Sequence, residues 1–171
     1  YQKRIHDLVA AFELLSCHEY ESRLVIIGDG PERDSAEAFA EKLGCNRNIR
    51  WLGHRTDASA LVSTFDAFWL GSDVEGQSNS MMEAMSRGVP CIASDIEPNR
   101  ELIGDAGILF PVGDRGELAK QTNLLLRDEN RRQQLGEASR KRIEQSFSVQ
   151  QMVQSHCEVY RQLLAEAPAG T

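Results

Sequence analysis

The sequence has little of what would tie it to a metal, a membrane or a nucleic acid. Its four cysteines, Cys17, Cys45, Cys91 and Cys157, are far apart. No Cys-x-x-Cys pair or nearby histidine supplies the spacing of a zinc site, so no metal is expected. They read as reduced, mostly packed thiols of a cytoplasmic protein. No apolar run approaches the roughly 18 residues of a spanning helix, and no signal peptide is visible. Basic residues are the minority: 19 Lys and Arg against 26 Asp and Glu leave a net charge of −7. That balance argues against nucleic acid or an anionic membrane as the main partner. There is no internal repeat, no low-complexity segment and no Walker-type phosphate loop.

What is present is the composition of an ordinary globular domain. A chain of 171 residues, 41% of them hydrophobic, can bury one real core but hardly two. Ile5, Leu8, Val9, Phe12 and Leu15 follow helical spacing. The run 23–27 then reads as a buried strand ending in Gly28-Asp29-Gly30-Pro31, with a helix from there to about Leu43 stopped by Gly44. Further strands are expected at 48–52, 67–70, 90–94 and 107–110. Helices are expected at 57–65, 80–87 and 98–103, and from Asp114 onward. Asp114-x-x-Glu117 and Ser148-x-x-Gln151 resemble capping boxes. On the last helix Met152, His156, Val159, Tyr160 and Leu163 share a face that needs an apolar surface to dock on. Strands alternating with helices point to an α/β fold, a Rossmann-like parallel sheet with helices on both faces. Such a fold places a strand ahead of the first helix, and none stands before Tyr1, so the chain reads as a piece of something larger. The last residues, 165–171, read as a frayed tail.

The stretch from Ser72 to Ser94 carries most of the chemistry. Glu75 and Glu83 flank the polar run Gly76-Gln77-Ser78-Asn79-Ser80, between one apolar strand and the next. Open α/β sheets bind ligands at such carboxyl ends, and a helix start offers free N–H groups to an anion. A glycosidase pair is excluded by spacing. Eight positions along a helix are about 12 Å, against roughly 5–5.5 Å for a retaining carboxylate pair. Glu83 fits a capping box with Ser80, whereas Glu75 sits in the loop with no helix to cap. Gly28-x-Gly30 is a weak dinucleotide signal, because Arg33 stands where the third glycine belongs.

Glu75-Gly76-(x)6-Glu83-Ala84-Met85-(x)2-Gly88-x-Pro90 resembles the E-x7-E signature of glycosyltransferase family 4, the retaining enzymes of the GT-B fold. The resemblance extends over nearly the whole chain. Lys3 and Phe12 resemble the family's lysine-bearing helix, Gly28-x-Gly30-Pro31 its glycine turn, and Trp51-x-Gly53 its F-x-G loop. Glu101-Leu102-Ile103 and Phe147-Ser148 match its later landmarks.

The resemblance implies that residues 1–164 are the C-terminal, nucleotide-sugar-binding half of a GT-B enzyme. Such an enzyme transfers a sugar to an acceptor hydroxyl with retention and without a cofactor. Glu75 would hold hydroxyls of the transferred sugar, and Lys3 would neutralise the leaving diphosphate. Glu83 would bind the ribose. Gly76, Gln77, Ser78, Asn79 and Ser80 would meet the diphosphate, with Gly28 beside the donor and His54 and Arg55 bordering the base. The acceptor, a glycan, lipid or small molecule, would belong to an N-terminal domain, and the fragment alone would be inactive. Two departures stand out: Gln77-Ser78 replaces the usual Phe-Gly, and Arg4 replaces the glycine after the lysine. The alternatives are a sugar-nucleotide epimerase of the same architecture and a non-catalytic nucleotide-sugar-binding domain.

Overall fold

The computed structural model describes residues 2–166, in which helices and strands alternate as far as the first of three closing helices. In order they are α1 (Ile5–Ser16), β1 (Leu24–Ile27), α2 (Arg33–Leu43), β2 (Ile49–Gly53), α3 (Ala58–Val62), β3 (Phe68–Leu70), α4 (Asn79–Ser86), β4 (Cys91–Ser94), α5 (Glu97–Ile103), β5 (Ile108–Phe110), α6 (Arg115–Leu126), α7 (Glu129–Ser146) and α8 (Val149–Glu166). The three ladders are parallel. Leu24 lies opposite Ile49 and Ile26 opposite Trp51, while Ile92 is flanked by Trp69 and Ile108. Parallel strands joined through helices, with apolar runs rather than alternating ones, produce the expected α/β architecture.

The strands do not close into one sheet. Their order is β1–β2 in one piece and β3–β4–β5 in another, so among the described residues β1 and β3 each pair on one side only. Burial follows the pairing. β4, with a neighbour on each side, is buried along all four residues, whereas the equally apolar Leu24–Ile27 of β1 is only half-buried throughout.

Helix ends follow local chemistry. Gly44 stops α2 in the left-handed region, at φ 77°, where a side chain would be strained. The carboxylate of Asp114 accepts the Glu117 N–H at 2.9 Å, and the Ser148 hydroxyl accepts the Gln151 N–H at 3.2 Å. Asp128 caps α7 in the same way, accepting from the Arg131 N–H at 2.9 Å and marking a break between α6 and α7 not expected from sequence. α7 is fixed across the domain: Ser139 donates to the Ala106 carbonyl at 2.7 Å, and Arg142 Nε to the Leu102 carbonyl at 2.7 Å.

Two expectations change here. Of the four thiols only Cys45 and Cys91 are buried, and Cys17 and Cys157 are exposed. On α8, Met152, Val159, Tyr160 and Leu163 are all exposed, so the surface expected to receive that face is not provided by the described residues. The helix runs to Glu166, two residues past the expected domain end at 164, and 167–171 lie outside the described residues. Among the described residues no helix is long and apolar enough to cross a membrane.

Candidate functional site

The charged residues gather at the carboxyl ends of β1 and β3. After Leu70 the chain passes Gly71 beneath the start of α1. A Cβ on Gly71 would lie 2.7 Å from Leu8 Cδ2 and 3.7 Å from the Lys3 carbonyl oxygen, so the residue is kept small by a close helix. Two hydrogen bonds tie the first described residue to the loop that follows: Asp73 N–H donates to the Gln2 carbonyl at 3.1 Å, and Gln2 Nε2 donates to the Val74 carbonyl at 2.7 Å.

That tie brings Lys3 onto Glu75. Lys3 Nζ and Glu75 Oε1 are 2.5 Å apart; the glutamate side chain is 8% exposed and the lysine 57%. A carboxylate this covered needs a partner, and the ammonium supplies it. The residues that the resemblance set against the transferred sugar and the leaving diphosphate, Glu75 and Lys3, are therefore in direct contact. Arg4, next to Lys3, has a left-handed backbone, φ 50° and ψ 42°, the only non-glycine residue with positive φ among those described. That conformation costs an L-residue roughly 1–2 kcal/mol, a cost that glycine would not carry. The Arg4 guanidinium is held by Asp7 at 2.6 Å.

The capping box expected at Ser80–Glu83 is not formed. α4 starts at Asn79, and its cap is Ser78, whose hydroxyl accepts the Met81 N–H at 3.4 Å. Ser78 is buried, and its Oγ also lies 3.2 Å from that of Ser80. The cap falls two residues early because the chain turns into helix where Ser78 is buried, not at the exposed Ser80. Glu83 is thereby beyond the first turn, exposed, and its carboxylate has no hydrogen bond or ion pair among the described residues. The N–H groups of Asn79 and Ser80, first in the helix, have no intrahelical acceptor. Gly76, Gln77 and Asn79 are exposed in or beside the loop.

Across the gap, Gly28 turns the chain at φ 131° and donates its N–H to the Gly53 carbonyl at 2.8 Å. Arg33 reaches over this turn. Its Nε is 2.7 Å from Glu37 and its Nη1 3.6 Å from Asp29, and the hydrogen bond to Glu37 is the main cause of a raised guanidinium pKa. One cavity of about 950 Å³ has Lys3, Gly28, Arg33, Ser80 and Glu83 together in its lining. His54 and Arg55 are exposed and outside its lining. Arg55 forms a two-point pair with Asp57, at 2.8 and 2.7 Å, which lowers the Asp57 pKa chiefly through that hydrogen bond.

Sequence reasoning missed a buried polar cluster just below the site. Ser94 Oγ donates to the Ser72 carbonyl, and Asn99 Nδ2 donates to Ser94 O at 2.9 Å and to its Oγ at 3.1 Å. All three residues are buried, and the Ser72 hydroxyl, on the cavity wall, has no hydrogen-bond partner. The available signal was a serine closing each of two successive apolar runs. Among the described residues no three His, Cys, Asp or Glu side chains are grouped so as to hold a metal ion.

Fold and site together define a parallel α/β domain whose ionic groups meet at the open end of its strands. The chain belongs to the glycosyl transferases group 1 family, which it matches over residues 1–142. N-acetyl-alpha-D-glucosaminyl L-malate synthase of Bacillus anthracis is 31% identical over 170 residues, covering 98% of this chain and 44% of that protein. The capsular polysaccharide biosynthesis glycosyltransferase CapM of Staphylococcus aureus is 27% identical over 168 residues, 96% of this chain and 44% of its own length. Among solved structures, a mutant of S. aureus TarM in complex with fondaparinux, alpha-GlcNAc-glycerol and UDP superposes with a TM-score of 0.88 at 24% identity. That match covers 94% of this chain and 33% of TarM. Sucrose-phosphate synthase from Thermosynechococcus elongatus gives a TM-score of 0.87 at 24% identity, over 97% of this chain and 43% of its own. At these identities the likeness is one of fold. The chain spans less than half the length of the relatives it matches.

Proposed function

We propose that this domain is the donor-binding, C-terminal half of a retaining glycosyltransferase of family 4 that uses a nucleotide-diphosphate sugar and needs no cofactor. The observation that carries the reading is the contact of Glu75 with Lys3, which itself lines a cavity together with Ser80 and Glu83 of α4. A lysine ammonium has three donors, so Lys3 can hold Glu75 with one and offer the others to a diphosphate oxygen. As the glycosidic bond breaks, negative charge grows on the leaving diphosphate, and a cation already in place stabilises it without a proton transfer. The free N–H groups at the start of α4 add a second source of positive potential. The fixed, acceptor-only carboxylate of Glu75 suits sugar hydroxyls, and that of Glu83 suits the ribose diol.

In this reading Gly76, Gln77, Ser78, Asn79 and Ser80 supply backbone contacts to the diphosphate, Gly28 leaves room beside the donor, and His54 and Arg55 border the base. The acceptor binds outside these residues, on an N-terminal domain. The 171 residues alone then bind nucleotide weakly and turn nothing over.

Glu75→Ala in the longer protein tests the proposal. Transfer is expected to fall by at least about a hundredfold with nucleotide binding retained; unchanged transfer would refute the role given to Glu75. UDP is the nucleotide in matched structures of TarM and of Anabaena Alr3699/HepE, so UDP sugars are the first donors to try. A melting-temperature rise with UDP, GDP or ADP sugars identifies the base, since a ligand that binds only the folded state must raise the midpoint.

A further inference from the structure

Lys3 reaches Glu75 from beside a left-handed residue. Arg4, at φ 50° and ψ 42°, is the N-cap of α1, yet its side chain does not cap the helix. Its carbonyl opens α1, accepting the Asp7 N–H at 2.9 Å and the Leu8 N–H at 3.3 Å. An N-cap is ordinarily extended. The left-handed turn instead folds Gln2 and Lys3 back onto the 73–75 loop. An arginine keeps such a backbone only where its surroundings hold it there. Asp7 is placed to do so. Its side chain is 15% exposed, and both carboxylate oxygens are engaged. Oδ2 accepts from Arg4 Nε at 2.7 Å and lies 2.6 Å from Nη2, while Oδ1 accepts from Arg115 Nε of α6 at 2.7 Å. Arg4 Nη1 lies 3.8 Å from Asp73, and a Cβ on Gly113 would fall 2.8 Å from Arg4 Nη2. One guanidinium thus joins α1, the loop that leads to Glu75 and the entry to α6. Arg4, Asp7, Asp73 and Arg115 stand outside the lining of the cavity, whereas Lys3 is part of it.

We infer, resting on the roles proposed above for Lys3 and Glu75, that Asp7 is a positioning residue for sugar transfer. By holding Arg4 in the left-handed region it sets Lys3 against Glu75 before a donor binds. Lys3 is exposed and its long stem has many rotamers, so nothing in the side chain itself fixes the ammonium. The direction in which residue 3 leaves the helix therefore decides where the ammonium rests. A cation already in place when charge develops on a leaving diphosphate needs no reorganisation at that moment. Without the Asp7 carboxylate, Arg4 relaxes to negative φ and Lys3 turns away from the loop. Glycine at position 4 would adopt the same turn unaided. Arginine needs the carboxylate one helical turn on, and Arg115 keeps that carboxylate aimed by occupying its other oxygen.

Acetic anhydride labelling of lysines, read peptide by peptide in the longer protein, tests this, with the exposed Lys42 and Lys141 as internal references. Pairing withholds the Lys3 amine from the reagent, so Glu75→Gln should speed its labelling about fivefold, the upper end for a pair with one exposed partner. Asp7→Ala should speed it about as much, and should add nothing further once Glu75→Gln is present. A merely structural Asp7 would leave the Lys3 rate at the parent's. Adding Arg4→Gly to Asp7→Ala should return most of the protection, because glycine keeps the turn, and adding Arg4→Ala should not. In the transfer assay, with the nucleotide sugar that raises the melting temperature, Asp7→Ala should cut kcat about tenfold and move donor KM less than about twofold. A parent Lys3 that labels as fast as Lys42, an Asp7→Ala rate equal to the parent's, equal recovery with glycine and alanine, or an unchanged kcat would overturn the inference. Should Asp7→Ala fail to fold, Arg115→Gln removes one partner of the carboxylate at a half-exposed side chain and must speed Lys3 labelling; no change there overturns the inference as well. Transfer unaffected by Glu75→Ala would refute the proposed function, while the labelling rates still decide whether Asp7 places Lys3.

Discussion

Gly136→Ala should lower stability, although in most helices the same change raises it. Gly136 is buried in α7, and a Cβ there would fall inside the carbonyl oxygen of Gly88 and 3.2 Å from its carbonyl carbon. Both are backbone atoms that cannot swing away. Gly88 is locked at φ 73° by its N–H bond to Met85, and Val89 donates to the Ala84 carbonyl at 3.0 Å. The helix must therefore back off, stretching the bonds from Ser139 and Arg142 that hold it to Ala106 and Leu102. Overpacking of this kind costs about 1–3 kcal/mol, and each weakened hydrogen bond adds up to about 1 kcal/mol. The gain in helix propensity returns about 1 kcal/mol. The net loss is about 2 kcal/mol, or a fall of roughly 4–8 °C in melting temperature for a domain of this size. Gly116→Ala in α6 is the matched control. Its Cβ would meet only an Asp114 carboxylate oxygen, at an ordinary 3.5 Å, so the midpoint should hold or rise. Urea titration of both variants, with slopes equal to the parent's, measures the difference. A Gly136→Ala midpoint at or above the parent's would refute the packing argument.

Three further outcomes follow from the structure. A thiol reagent should modify two cysteines quickly in the native chain and four after denaturation, because burial pushes the Cys45 and Cys91 thiols up while Cys17 and Cys157 are exposed; fast reaction of all four would contradict this. The Arg55 hydrogen bond lowers the Asp57 pKa, so its contribution is present above the ordinary carboxylate range and is lost as pH falls through the folded value. Asp57→Asn should accordingly lower stability slightly at neutral pH, flatten the acid limb of a stability–pH curve and meet the parent at low pH, and an identical curve would count against the pair. Asn99→Ala removes both donors to Ser94 within a buried cluster and should cost about 1–3 kcal/mol by denaturant titration; a loss under a few tenths would mean that the cluster contributes little.

Strands and their order were legible because buried parallel strands are short apolar runs closed by glycine: Leu24–Ile27 before Gly28, Ile49–Gly53, Phe68–Leu70 before Gly71. The glycines at 28, 44, 53 and 88 all have positive φ, so the turns they suggest are real. Finer placement was not legible. Ser78 and Ser80 are equivalent as letters, and only burial of the first, decided by tertiary packing, makes it the cap. The break at Asp128 was hidden by a continuous polar helical pattern on either side. No local pattern could pair Lys3 with Glu75, which are 72 positions apart. For the same reason His54 and Arg55, adjacent to Gly53 in sequence, could not be placed inside or outside a cavity whose walls come from elsewhere.

The tie between Gln2, Lys3 and the 73–75 loop also bears on the order in which the chain folds. Lys3 waits for a loop 72 positions later before its contact exists, and loop closure over such a separation precedes any gain from the contact. Helices such as α6 and α7 can form from neighbours alone, whereas the Lys3–Glu75 contact belongs to the last stage of assembly. A chain caught before that stage has its Rossmann-like helices and an incomplete ionic centre, so secondary structure should recover in refolding before nucleotide affinity does.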